Sequence, residues 1–267
     1  MSLYDDMILA ESGLVQYVAC SDTAGTQATD SKNAYHGTYT GTFTLNQTSV
    51  LPAFSGDPSV YLNSGYIARS YLAALALNDV WTYEFWLKRT TIGTQQSIFG
   101  PGVANDVYLY IDTTNVLVMR KDSVANVVVT TAAYTDTTNP YHIVFVKDGA
   151  TTRKIYVNGQ DQAVTDSGNQ TFVSAGSGDQ HLMALGAAGG GPVPTYGYVA
   201  KIARYNVALT STQVSAHYDA GINGIAVPTV NIYPDADTTT TGWTTTPLWS
   251  KIDEISADGT VITATAS

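Results

Sequence analysis

An all-β, two-sheet antiparallel sandwich is the fold this sequence predicts, and three observations carry it. Short runs of alternating apolar and polar residues recur through the middle of the chain, with turn residues between them. The composition is heavy in threonine and includes 18 Tyr and 23 Gly, which suits strands and tight turns, whereas Lys and Glu, both good helix formers, are scarce. With 267 residues, 44% of them hydrophobic, the chain can bury a core of domain size.

In chain order, Trp81 to Leu87 places Trp81, Tyr83, Phe85 and Leu87 on one face and Thr82, Glu84 and Trp86 on the other. That pattern predicts a strand half-buried against a core. Val107 to Ile111 alternates in the same way, and a turn over Asp112 to Asn115 leads into Val116 to Arg120, so a hairpin is expected. His142–Val146 and Lys154–Val157 flank a polar loop from Lys147 to Arg153. The second of these strands runs into Asn158-Gly159, the pair preferred in a type I′ turn because both residues take positive φ. Leu182–Leu185 and Tyr198–Tyr205 complete the strand series. One short helix is predicted over 211–219. Thr210 and Gln213 have capping-box spacing, Leu209 and Val214 sit where a hydrophobic staple forms, and Gly221 is placed to end it. Composition changes after Pro228, where a threonine run precedes Trp243, Leu248, Trp249 and Ile252. About forty residues are too few for an independent core, so the chain divides into a sandwich at 1–226 and a C-terminal arm at 227–267.

Charge narrows the function. Acids outnumber bases 22 to 12, for a formal charge of -10, which argues against binding nucleic-acid phosphates. Apolar stretches are strand-sized, so no membrane insertion is expected. No basic-then-apolar signal segment opens the chain. A single cysteine, Cys20, makes neither an intramolecular disulfide nor a cysteine-rich zinc site.

Several segments resemble the laminin G-like, concanavalin A-like domains of bacteriophage virion proteins. They run in the same order: Leu9 to Tyr17, Ala28 to Asn33, Tyr35-His36-Gly37-Thr38-Tyr39, the Trp81–Leu87 strand, Tyr141 to Gly149, Tyr156 to Gly159, and Ala203 to Thr210 with Gln213 to Tyr218. Lys32 and Ala34 depart from the small loop residues of that pattern, and Val18-Ala19 stands where Trp-Arg is usual. In the arm, Pro234–Asp237, Gly242-Trp243 and Ile252–Glu254 are similar to segments of actinobacteriophage virion proteins. The resemblance implies a jelly roll that acts as a binding or assembly module on the virion surface (tail, fibre or head decoration). Such a protein is made in the host cytoplasm and is extracellular after lysis. A free carbohydrate-binding, lectin-like module is the alternative, and a glycoside hydrolase a distant third, since this fold carries all three.

Catalysis is not expected. A retaining glycosidase needs two carboxylates about 5–5.5 Å apart, and no Glu-x-Asp-x-Glu strand exists. Glu84 reads as a solvent-facing or Arg-paired strand residue. His36, His142, His181 and His217 show no metal-ligand or nucleophile–base spacing and read as structural or surface groups. Asp30 and Asn33 are the calcium candidates, with Asp57 and Asp106 as rivals. Oxygen ligands suit Ca²⁺, although a plain Asx-turn explains the same residues. No cofactor is required. Tyr108 and Tyr110, on one strand face, are glycan candidates, weighed against packing beneath a loop or a neighbouring subunit. Ala188 to Pro192 lacks the lysine of a phosphate loop and reads as a mobile loop. Trp243, Leu248, Trp249 and Ile252 are expected to dock on a neighbouring subunit, either other virion proteins or a homo-oligomer.

Overall fold

The fold is that of a computed structural model, which describes residues 2–70, 80–100, 107–121, 126–149, 152–167, 180–184 and 195–225. The chain divides into two units, Met1–Ile225 and Ala226–Ser267, and the description concerns the first. Trp243, Leu248, Trp249 and Ile252 lie outside the described residues, as do Asp106 and the Ala188–Pro192 loop.

The described strands form two antiparallel sheets, of ten and five strands. The larger contains β1 (Leu14–Val18), β2 (Gln27–Ala28), β3 (Gly37–Thr40), β4 (Phe43–Gln47), β5 (Ser59–Ala68), β6 (Val80–Arg89), β11 (Tyr141–Asp148), β12 (Thr152–Val157), β13 (Gln160–Asp161) and β15 (Thr195–Tyr205). Its main path is β13-β12-β11-β6-β15-β5-β3-β2, with β1 paired to β15 and β4 to β5. The smaller sheet runs β14-β10-β9-β8-β7. Those strands are β7 (Gln96–Phe99), β8 (Val107–Ile111), β9 (Leu117–Lys121), β10 (Asn126–Thr130) and β14 (Val164–Asp166). Core side chains from both sheets meet between them, for example Tyr83 on β6 and Phe99 on β7, whose ring centroids are 5.4 Å apart.

Both hairpins expected from the sequence form. Strand β8 pairs with β9 from Val107↔Lys121 to Ile111↔Leu117. β12 turns into β13 through Asn158 and Gly159, with φ of 52° and 74°. Of the expected Leu182–Leu185 strand, residues 182–184 are described, and they make no ladder strand. Leu182 forms isolated bridges to Ile67 and Phe99, and the positive φ of Met183 (58°) breaks the extension.

The helix layer departs from the expected single short helix. An N-terminal helix, α1 (Leu3–Ala10), starts from a Ser2–Asp5 capping box and buries Tyr4 and Ile8, one turn apart on one face. The second helix, α2 (Ser211–Asn223), has the expected Thr210–Gln213 box and buried Leu209 and Val214. It continues through Gly221 and is capped instead by Gly224, at φ 82°. Gly221 is a helix-interior residue because a Cβ there would lie 2.8 Å from Cη2 of Trp86 and closer still to Cζ2, so the glycine lets the helix approach the sheet.

The β6 strand is therefore buried on both faces. Trp81, Tyr83, Phe85 and Leu87 are in the inter-sheet core, while Thr82, Glu84 and Trp86 are also buried. Trp86 donates its indole N–H to the Tyr4 hydroxyl of α1 (2.9 Å) and stacks on Tyr218 of α2.

Candidate functional site

The outer face of the ten-stranded sheet has two zones, set by the alternation of β6 and β15. In the first, beneath the helices, Glu84 is 1% exposed, which corrects its expected solvent-facing position. Its partners among the described residues are two histidines and a tyrosine. His142 Nε2 lies 2.8 Å from Glu84 Oε1, His217 Nδ1 lies 3.0 and 3.1 Å from the two carboxylate oxygens, and Tyr205 donates its hydroxyl to Oε2 at 2.9 Å. His217 Nε2 lies 3.2 Å from Glu11, at the end of α1, which in turn accepts from Gln213 of α2. Burial works to raise the Glu84 carboxyl, but the charge and hydrogen bonds of His217 and His142 outweigh it and hold the group well below the usual range. For His217 burial works downward, yet Glu84 and then Glu11 raise it to about 9. A second buried knot ties α1 to the same sheet. Lys201 Nζ donates to Asp5 (2.6 Å) and Asp57 (2.8 Å), and Tyr17 donates its hydroxyl to Asp5 (2.6 Å). Every oxygen of Glu84 is taken up by these partners, so the arrangement holds two helices and three strands together and offers no substrate access. His142 and His217 thus have the structural role expected of them, but within a charged cluster that the sequence did not reveal.

The second zone lies one step further along the same strands and is open. Thr44 on β4 pairs with Tyr61 on β5, Tyr61 with Tyr198 on β15, and Tyr198 with Lys88 on β6. These register partners share the outer face, and neighbouring strands are about 4.8 Å apart, so the row spans roughly 14 Å. The Tyr61 and Tyr198 rings stand 4.8 Å apart at 35°. Both are half-buried, as is Lys88, while Thr44 is exposed. Half-buried Tyr196 and exposed Asn63, themselves register partners, flank the row. Two aromatic rings tilted against each other on the sheet, with amide, hydroxyl and ammonium groups around them, can present apolar ring surface to a sugar and hydrogen-bond its substituents.

The residues expected from the sequence lie elsewhere. Tyr108 and Tyr110 do share one face of β8, in the five-stranded sheet, with Arg120 the register partner of Tyr108. Tyr108 is half-buried, but Tyr110 is only 6% exposed; burial raises its hydroxyl pKa against the pull of Arg120. Only one of the two rings is open for contact. Asp30 is buried, and its carboxylate accepts backbone N–H bonds from Tyr17 (2.8 Å), Lys32 (2.9 Å), Tyr35 (3.0 Å) and Asn33 (3.4 Å). Asn33 donates its side-chain amide to the Val15 carbonyl. The two calcium candidates meet, but as a loop-fastening turn. The rival Asp57 is bonded to Lys201. Among the described residues, no three His, Cys, Asp or Glu side chains converge as a metal site would require.

Comparison with known proteins bears on this geometry. The profile of the concanavalin A-like lectin/glucanases superfamily matches residues 62–215, more than half of the chain. The chain belongs to that superfamily. No curated protein sequence matches it. Among solved structures, Trypanosoma rangeli sialidase in complex with sialic acid aligns with a TM-score of 0.59 at 14% identity, covering 81% of this chain and 37% of that one. Domain 4 of AbnA, an extracellular GH43 arabinanase from Geobacillus stearothermophilus, in complex with arabinotriose, aligns at 0.58 and 17%, covering 77% of this chain and 98% of the domain. The binding domain of Paraclostridial Mosquitocidal Protein 1 aligns at 0.55 and 11%, covering 78% and 52%. This superfamily member spans about a third of the sialidases' length. At these identities the likeness is one of fold, a lectin-like jelly roll. Among the described residues no helix is long and apolar enough to cross a membrane.

Tyr61, Tyr198 and Lys88 escaped the sequence reading because their adjacency is created by cross-strand register. The one local signal was Tyr196-x-Tyr198, two rings on one face of a strand.

Proposed function

We propose that this concanavalin A-like domain is a non-catalytic glycan-binding module carried on the surface of a bacteriophage virion, with the Tyr61–Tyr198 row as its sugar-contacting surface. The row carries the reading: two rings at 4.8 Å, half open, on adjacent strands in the interior of the ten-stranded sheet. Glu84, the strand carboxylate nearest the centre of the sheet, is committed to two histidines and a tyrosine, which favours binding over hydrolysis. The arabinanase domain, alike in fold along nearly its whole length, binds arabinotriose, which adds support for a sugar ligand.

The virion setting rests on the order of the N-terminal segments, Ala28–Asn33 before Tyr35–Tyr39 before Trp81–Leu87, which resembles phage structural proteins. In that setting Trp243, Leu248, Trp249 and Ile252 of the arm dock on a neighbouring subunit, since about forty residues cannot bury two tryptophans alone. A free lectin is the second reading, favoured by the same aromatic row. A glycan array tests the module: wild-type protein should bind, and Tyr61→Ala and Tyr198→Ala should each weaken binding roughly tenfold with an unchanged fold by circular dichroism. No binding to any glycan overturns the assignment. Immunogold labelling of phage particles separates the settings, because unlabelled particles leave the free lectin.

A further inference from the structure

Resting on the glycan-binding reading, we infer that the ligand of this face carries a carboxylate, which Lys88 receives while a sugar ring lies over Tyr198 and Tyr61. The observation that singles out Lys88 is how the other cations are used. Arg153 and Lys154 pair with Asp166 and Asp161, and Lys201 with Asp5 and Asp57. Lys32, Arg69 and Arg89 donate to the carbonyls of Leu9, Tyr35 and Tyr134. Arg204 lies over the Phe99 ring, Arg120 serves Tyr110, and Lys147 also has a partner. Lys88 alone makes no hydrogen bond or ion pair among the described residues with described side chains. In a chain of formal charge -10, acids to neutralise it are abundant, yet this ammonium stands at the end of an aromatic row.

Register adds the geometry. Lys88 is the direct cross-strand partner of Tyr198, so its stem rises from the same face one strand away. A half-buried lysine lays its methylenes along neighbouring apolar surface and leaves its ammonium at the rim, where it can donate to an anion. Beyond Tyr61, Thr44 offers a neutral hydroxyl, and Asn63 flanks the row with a neutral amide, so the row is polarised: cation, ring, ring, neutral hydroxyl. A linear glycan with an acidic residue at one end (a uronic acid or a sialic acid) matches that order. A neutral glycan would leave the ammonium without a counter-charge beside the ligand.

The test uses the full chain and an array bearing matched acidic and neutral glycans: sialyllactose against lactose, and tri-galacturonate against its methyl ester. Titration calorimetry then follows the best acidic probe and its neutral counterpart. The expected result is that the acidic member binds about tenfold more tightly. Lys88→Gln should weaken acidic binding about tenfold and so abolish that preference, with a smaller loss for the neutral member, and Lys88→Arg should retain it. Raising the salt concentration should weaken acidic binding alone. Equal affinity for both members, or equal loss of both with Lys88→Gln, overturns the inference and leaves the glycan-binding module standing. Binding of neither by wild-type protein, with no other glycan retained, overturns both.

Discussion

The His217 imidazole Nδ1 lies within 3.1 Å of both carboxylate oxygens of Glu84, in a position where each residue is 1% exposed. His217 also faces Glu11 with its other nitrogen, so both ring nitrogens donate and the ring is an imidazolium. The pH dependence follows. His217 is raised from 6.5 to about 9, so its contribution is complete below 6.5 and is lost as pH rises through about 9. Glu84 is lowered from 4.5, so its contribution is present above 4.5 and is lost as pH falls below it. Stability should peak between about 4.5 and 6.5 and fall toward pH 9 by on the order of 3 kcal/mol. Thermal melts across this range, compared with His217→Gln, check it: the variant should lack most of the alkaline decline, and an identical decline in both would place its origin elsewhere.

Glu84 itself should tolerate substitution poorly. Glu84→Gln leaves the buried His217 imidazolium with Glu11 as its one remaining carboxylate and forces Tyr205 and two histidines to share one neutral amide. Breaking a buried ion pair from one side costs about 3–5 kcal/mol. Urea denaturation should show that loss, together with detachment of α1 and α2 seen as faster amide exchange in both helices. A cost below about 1 kcal/mol would mean that helix packing, and not this cluster, holds the layer.

Gly221→Ala sets two effects against each other. Alanine is favoured over glycine in a helix by about 1 kcal/mol. The new Cβ would overlap the Trp86 indole, whose ring is fixed by Tyr4, His142 and Tyr218 and cannot swing away. Overpacking of a rigid core costs typically 1–3 kcal/mol, so the net effect should be destabilising. A drop in melting temperature with altered tryptophan fluorescence is the expected outcome; a stabilised variant would show that α2 can shift off the sheet.

These residues mark what was legible in the sequence. The sandwich, the β8–β9 hairpin, the Asn158-Gly159 turn and the Thr210 cap were readable because each depends on neighbours within a few residues. Helix α1 obeys the same local rule, a Ser2–Asp5 box with Tyr4 and Ile8 one turn apart, but its few residues give no sustained period. The Glu84 cluster was hidden for a different reason. Its members come from five elements separated by up to 206 positions, and a buried carboxylate looks the same in sequence as an exposed one. The aromatic row was hidden likewise, since pairing Tyr61 with Tyr198 across 137 positions depends on which strands lie side by side.

Asp30 separates a structural carboxylate from a metal ligand. Oδ1 accepts the N–H groups of Tyr17 and Lys32, and Oδ2 those of Tyr35 and Asn33. The side chain thereby fastens strand β1 to the loop that leads into β3, a second tie beside the Val18↔Asp30 bridge. Asp30→Ala would leave several of these amides without an acceptor, each costing about 1–3 kcal/mol if it stays buried. Relaxation and water recover part of this, so a loss of about 3 kcal/mol is expected in urea denaturation. Asp30→Asn keeps one carbonyl oxygen as an acceptor, but its NH₂ group faces amides that also donate, so it should fall between wild type and alanine. Because all four bonds come from the chain itself, neither calcium chloride nor EDTA should move the melting temperature of the wild-type protein. A calcium-dependent rise that disappears in Asp30→Ala would instead make this loop a cation site, with the backbone amides rearranged to admit the ion.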